Sequence, residues 1–330
     1  MSRPETLPRP IRGAPVTAIL GLLPLVIFAL VLGGIAVRAP NILSGASLAL
    51  ILTQSLPAVL VCIGLAAVVM AGGDDVVSGG IDLSIPSTAV LGAGIAAELL
   101  VSGHPAWLAV LAALAAALAV GLVNALLVTR IGMTPLLATL AVSGAAIGLT
   151  KVVTASRRID LDHPLVVTLR DGHVGGVPLG VAIVAGVALL AWHLLHRTRW
   201  GMALQAAGGS RDAAETMGVN TRRIQAQSFV FASFFGFAAG FFVLARGSGS
   251  TPGVEETLMM EMVLATFLGA TFSPRRVVTL WGAVAGAVLV TAISVGFKTI
   301  GVDVFWTGLI KGVLICAVVA LSAVAQGGRR

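Results

Sequence analysis

Residues 46–70 read ASLALILTQSLPAVLVCIGLAAVVM, twenty-five positions without one charged side chain. A helix needs about 20 apolar residues to cross the hydrocarbon of a bilayer, so this run reads as a membrane span. Similar runs recur near 14–37, 84–101, 106–128, 134–154, 177–196, 226–245, 256–272, 277–297 and 304–322. Together they predict an all-α, polytopic membrane protein of about ten transmembrane helices, with residues 1–330 forming a single domain.

Composition agrees. Apolar residues make up 57% of the 330 residues and charged ones only 11%, against about 25% charged in soluble domains, and the mean hydropathy is +1.02. Too little polar surface is left for a water-exposed body of this size, which excludes a cytosolic enzyme, a secreted domain or a disordered chain. Arg3, Arg9 and Arg12 precede the first run as they would in a signal peptide. That run is longer than the 7–15 residues or so of a signal h-region and ends without a cleavage pattern, so an uncleaved first span behind a tail of residues 1–13 is expected.

The formal charge of +7 comes from residues scattered at the ends of apolar runs, not from a basic face with interleaved aromatics, so no nucleic acid partner is expected. The charges report topology instead. With the N-terminus cytoplasmic, thirteen Lys and Arg fall on the cytoplasmic side and seven outside, while Lys311 lies within a span. The positive-inside rule then places both termini, including a tail of residues 323–330, in the cytoplasm. Tyr is absent, and Trp107, Trp281 and Trp306 near span starts supply the interfacial aromatics. Gly144/Gly148, Gly236/Gly240, Gly282/Gly286 and Gly308/Gly312 have the GxxxG spacing of close helix contacts. Cys62 and Cys316 lie far apart in apolar runs and read as core residues, with no metal spacing.

Two connections exceed simple turns. Residues 155–177 mix Arg, Asp, His and Gly and are expected to form a solvated outer loop; the spacing of His163 and His173 to nearby Asp is not diagnostic of a metal. The other, 197–225, faces the cytoplasm. Within it Ser210-Arg211-Asp212-Ala213-Ala214-Glu215-Thr216-Met217-Gly218 predicts a short helix. Ser210 is its N-cap, Asp212 faces the positive end of the helix dipole, and Gly218 occupies the left-handed C-terminal position. Such a helix is either an ordinary interfacial connector or a rigid element that receives force from a soluble motor.

Asp212-Ala213-Ala214 followed by Gly218 resembles the EAA…G coupling loop of ATP-binding-cassette importer permeases, and Ala207-Gly208-Gly209-Ser210 resembles the AxGGN run of the ribose-type members. Three further stretches agree in order: Gly79-Gly80-Ile81-Asp82-Leu83-Ser84 with GGIDLS, Gly121-Leu122-Val123-Asn124 with GxxN, and Gly301-Val302, Phe305-Trp306 and Lys311-Gly312 with GVxxFWxxxxKG. The chain is thus similar to the branched-chain amino acid and sugar permease superfamily over nearly its whole length. It departs in an apparent insertion at 72–78, in Ile85-Pro86-Ser87, in Ser210 where the family carries Asn, and in Ser273-Pro274-Arg275-Arg276 where the family is Gly-rich.

The resemblance implies a type II-like importer permease of the bacterial inner membrane that moves a monosaccharide or related small polar solute. It also implies an ATPase subunit docking at Gly208, Gly209, Ser210, Asp212, Ala213, Ala214, Glu215 and Gly218, with ATP and Mg on that subunit and no cofactor on this chain. A periplasmic solute-binding protein and a second permease copy or close paralogue complete the implied assembly.

Ionisable groups within spans are functional candidates by default, which singles out Glu98, Glu261 and Lys311. Glu261 falls where the superfamily usually carries Asp, and an ion pair with Lys311 is one reading of it. Asp82, Ser84 and Asn124 join these two as candidates for the translocation path, although capping of the third span by Ser84 with Pro86 and a bond between helices for Asn124 are the readings preferred for those residues. The chain has no GxxxxGK[ST], HExxH or GxSxG motif, so it is not expected to be an enzyme. The alternative function is a stand-alone secondary transporter or channel, in which Glu98, Glu261 and Lys311 would be the coupling groups.

Overall fold

The computed structural model describes residues 14–73, 79–273 and 277–327, with side chains described from Leu23 onward except for 304–305 and 318–327. The expected tail 1–13, most of the insertion at 72–78, the altered residues 274–276 and the last three residues lie outside the described residues. Helices dominate. In chain order they are α1 (Ala14–Arg38), α2 (Gly45–Gly72), α3 (Ile85–Val101), α4 (Ala106–Leu126), α5 (Pro135–Val153), α6 (Pro164–Asp171) and α7 (Leu179–Arg197). They continue as α8 (Arg199–Gly209), α9 (Arg211–Thr216), α10 (Thr221–Gly247), α11 (Val254–Ala270), α12 (Leu280–Thr299) and α13 (Val304–Gly327). Each of the ten apolar runs carries a helix. Six of these helices (α2, α4 with its π-helical extension to Ile131, α5, α7, α10 and α12) are long and apolar enough to cross a membrane, and Leu23–Arg38, Ile85–Val101 and Trp306–Ala317 are shorter apolar helices.

α2 is the central post, packed against α10, α12, α11, α7 and α8. The reason lies in its sequence, because nearly every residue from Ser55 to Val69 is small or aliphatic and all are buried. α3 fits between α10, α4 and α5. Outer helices show the opposite pattern: α4 turns Ala109, Ala113, Ala117, Gly121 and Asn124 inward, spaced three or four apart, and leaves Leu111, Leu122 and Leu126 each 53% exposed. Large apolar side chains outside and small ones inside are wrong for water but right for lipid, where association depends on close packing rather than on hiding apolar surface.

Two of the four GxxxG pairs do this packing. A Cβ on Gly236 would lie 3.1 Å from Thr88 and one on Gly240 2.6 Å from the Ala89 carbonyl, so α10 touches α3 backbone to backbone; Gly282 and Gly286 sit equally tightly on Gly269 and Ala265 of α11. The other two pairs correct the expectation, because Gly144, Gly148, Gly308 and Gly312 have no atom of the described residues within 4 Å of a Cβ position. Their spacing faces away from this chain's own helices. Cys62 is buried as expected, whereas Cys316 is exposed.

The two long connections are more ordered than their sequences suggest. Residues 155–177 are not a plain solvated loop: Ile159–Asp160 (β1) pairs antiparallel with Gly249–Ser250 (β4), α6 follows, and His173–Val174 (β2) pairs with Val177–Pro178 (β3). Arg158 fastens this layer by donating to the Gly247 carbonyl at 2.7 Å and to Thr251 at 3.1 Å, and Arg170 donates to the Ser248 hydroxyl at 2.6 Å. Among the described residues no group of His, Cys, Asp and Glu could hold a metal. Residues 197–225 contain α8 as well as the short helix, α10 begins at Thr221 rather than near 226, and α13 runs through Gly327, five residues into the expected C-terminal tail of 323–330.

Candidate functional site

The candidate residues separate into three places. At one end of the bundle, α8 and α9 form a bracket between α7 and α10. Ser210 caps α9, its hydroxyl accepting the Ala213 amide at 3.4 Å, and Gly218 is left-handed at φ +82°, as the sequence predicts. Beyond that the sequence is silent on how the helix is held. Glu215 accepts hydrogen bonds from Thr221 at the start of α10 and from Arg211 one turn back; these contacts hold its carboxyl below the usual carboxylate range, Thr221 contributing most. Only Ala214 of α9 is buried, so the rest of the helix faces out. Gly208 is pressed against the Met70 carbonyl at the end of α2, where a Cβ would clash. The bracket therefore rests directly on the central post. Gly209 has open space around its Cβ position.

The second place is a dry junction near the same end. The chain enters α3 through Gly79-Gly80, and a Cβ on Gly80 would collide with the Val68 carbonyl of α2. Asp82 then accepts from the Ser84 amide at 2.9 Å and the Ser84 hydroxyl at 2.7 Å. Asn124 of α4 donates to the same hydroxyl at 2.7 Å, and the Leu83 amide donates to Thr139 of α5 at 3.2 Å. Ser84 is the N-terminal residue before α3, but its side chain makes no capping bond. This corrects the capping reading, since the hydroxyl is taken by Asp82 and Asn124 and it is the Asp82 carboxylate that receives the first free amide. Asp82, Ser84 and Asn124 are all buried. They join α3 and α4 and line no described cavity.

The third place is a cavity of about 490 Å³ toward the opposite end, within the range of small-molecule sites, with polar and charged side chains set in a largely apolar wall. Three helices each present a polar pair four residues apart, hence on one face: Thr257 and Glu261 from α11, Ser294 and Lys298 from α12, Thr307 and Lys311 from α13. Gln54 of α2 and Arg246 of α10 also line it. Lys311 donates to Glu261 at 2.7 Å, and both are buried. Charges in such a place need each other, because an isolated ion within a membrane protein is expensive to desolvate. Glu98 lies apart, half-buried near the end of α3.

Of the five path candidates, then, Glu261 and Lys311 come together at a cavity while the other three form a helix junction. Sequence reasoning missed Gln54, Arg246, Lys298 and the hydroxyls. Arg246 and Lys298 sit at span ends and read as topology charges, and the four-residue spacing of their neighbours is visible only once three helices are known to face one another.

A bundle of apolar helices around a solute-sized cavity with ionisable side chains in its wall is that of a multi-pass membrane protein of the transport class. Residues 47–319 match the family described as "Branched-chain amino acid transport system / permease component", and the chain belongs to this family. It is 29% identical to a fructose import permease protein of Bifidobacterium longum over 74% of this chain and 70% of that protein. It is 27% identical to a ribose import permease protein of Escherichia coli over 85% of this chain and 87% of that one. A galactose/methyl galactoside import permease protein of Salmonella typhimurium is 27% identical, covering 92% and 94% of the two chains. No solved structure matches.

Proposed function

We propose that this chain is the permease subunit of an ATP-binding-cassette importer of the inner membrane, translocating a monosaccharide or a related small polar solute. Its family membership and its likeness to sugar import permeases over most of their length support that reading. In it, all ten apolar helices are spans, both termini are cytoplasmic, and the end bearing α8 and α9 faces the cytoplasm.

The observation that carries the mechanism is the seating of α8 on α2. ATP-driven closure of the partner subunits would push on the exposed face of α9, and Gly208 against Met70 passes that displacement to the helix that touches α10, α11 and α12. The polar cavity between α11, α12 and α13 would hold the solute during the switch from outward to inward access. ATP and Mg belong to the partner. A periplasmic binding protein would deliver solute onto the layer built from β1, β4 and α6, and a second copy or paralogue of this chain would complete the path. The test is a mild-detergent pull-down from native membranes: co-purification of an ATP-binding subunit whose ATPase activity responds to a solute-loaded binding protein supports it, and a chain that emerges alone while other complexes survive overturns it.

A further inference from the structure

The cavity wall is not electrically neutral. Its charged side chains are Arg246, Lys298 and Lys311 against Glu261 alone. Glu261 is already neutralised by Lys311 at 2.7 Å, so Arg246 and Lys298 supply two positive charges with no acidic partner among the described residues' ion pairs. The acid nearest Arg246 in sequence, Glu255, accepts the Gly253 amide at 2.8 Å, and neither it nor Asp303, the acid nearest Lys298, lines the cavity. Arg246 is half-buried, and its one hydrogen bond among the described residues is a long one to the Gln54 carbonyl at 3.4 Å, which leaves most of its five donors unused among those residues. Thr251, Ser294 and Thr307 line the same cavity, hydroxyls suited to other hydroxyls.

A uniformly neutral sugar would leave the half-buried Arg246 and the exposed Lys298 without a counter-charge, and complementary charge selects among partners. A guanidinium with free forked donors matches a planar carboxylate or a phosphate. Resting on the permease reading above, we infer that the cavity is a subsite for an anionic, polyhydroxylated solute of monosaccharide size, its carboxylate or phosphate held by Arg246 and Lys298 and its hydroxyls by Thr251, Ser294 and Thr307. The Glu261–Lys311 pair then serves as a fixed, neutral wall that keeps a third cation from trapping the anion.

The test uses the purified full chain in lipid nanodiscs and equilibrium dialysis with radiolabelled D-gluconate, D-glucose 6-phosphate and D-glucose. At least one acid binds about tenfold or more tightly than glucose, equivalent to about 1.4 kcal/mol, and the two acids together separate carboxylate from phosphate recognition. Raising salt narrows the difference. Lys298→Gln, at an exposed position, and Arg246→Gln each reduce the preference toward unity, and Lys298→Arg keeps it. Glucose binding as tightly as both acids, a preference indifferent to both Gln variants, or no binding of any of the three overturns the inference. Co-purification with an ATP-binding subunit is scored on the same material, so a failure of charge selection in an assembled importer is distinct from a failure of the permease reading.

Discussion

Lys311 and Glu261, fifty positions apart, meet at 2.7 Å with side chains only 6% and 8% exposed. The pair ties α13 to α11 beside the cavity, and its energetics are those of two ions that have both lost water. Breaking such a pair from one side leaves an uncompensated buried charge, at a cost of about 3–5 kcal/mol, whereas replacing both partners is often close to neutral. Lys311→Met alone should therefore lower the detergent unfolding midpoint markedly, and adding Glu261→Leu should recover most of the loss. Additive losses in thermal unfolding of the two single variants and the double would show that the residues do not depend on each other.

The Asp82 junction makes a graded prediction. Asn124→Ala removes one hydrogen bond from a group whose carbonyl oxygen already lacks a partner, worth about 1 kcal/mol. Asp82→Ala removes the acceptor of both the Ser84 amide and the Ser84 hydroxyl and should cost more, about 1–3 kcal/mol. Unfolding in detergent ranks the two, and equal losses would contradict the central place given to Asp82.

Glycine contacts divide just as sharply. Gly208→Ala and Gly80→Ala each drive a methyl into a backbone carbonyl of α2, and overpacking of this kind typically costs about 1–3 kcal/mol. Gly308→Ala and Gly144→Ala meet nothing among the described residues and should leave the stability of the detergent-solubilised single chain unchanged. If Gly208→Ala inserts, folds and transports like the parent, force does not pass through its contact with Met70.

Glu215 gives a pH dependence of known sign. Its carboxyl is held below the usual range by Thr221 and Arg211, so its contribution is fully present above the unfolded value of about 4.3 and is lost as pH falls through the lowered folded value. Hydrogen-exchange protection of the α9 amides, corrected for intrinsic rate, should be flat from pH 8 to 5 and fall only below about 4.3. Protection that drops between pH 7 and 6 would assign the hold on α9 to another group. Glu215→Arg, and Gly218→Val at its left-handed backbone position, should abolish uptake while membrane insertion persists; normal uptake by both would remove α9 from the coupling mechanism.

Much of this was readable from residues 1–330 alone, and the pattern of success has a physical reason. The apolar runs mark helices because a span must be long and uncharged, and the α9 caps are legible because Ser210 and Gly218 act on their immediate neighbours. Contacts between distant segments are a different matter. Ser84 before Pro86 reads as a cap in the sequence, and only the arrival of Asn124 from α4 shows its hydroxyl engaged in tertiary bonding instead. Gly144/Gly148 and Gly236/Gly240 have the same spacing, yet only the second faces another helix of this chain. Arg246 and Lys298 stand at span ends among the seven outer charges of the topology count and line the cavity as well, so one reading concealed the other.

The central claim is that α9 is where the ATPase subunit bears on this chain, and photo-crosslinking from Met217 tests it most directly. Met217 follows α9 and is 84% exposed, so a photoreactive residue there changes no buried contact. In native membranes it should form a cross-link to an ATP-binding polypeptide, with a yield that changes when ATP is trapped. An ATPase that co-purifies with the chain but cross-links from Arg130 and not from Met217 would contradict the claim.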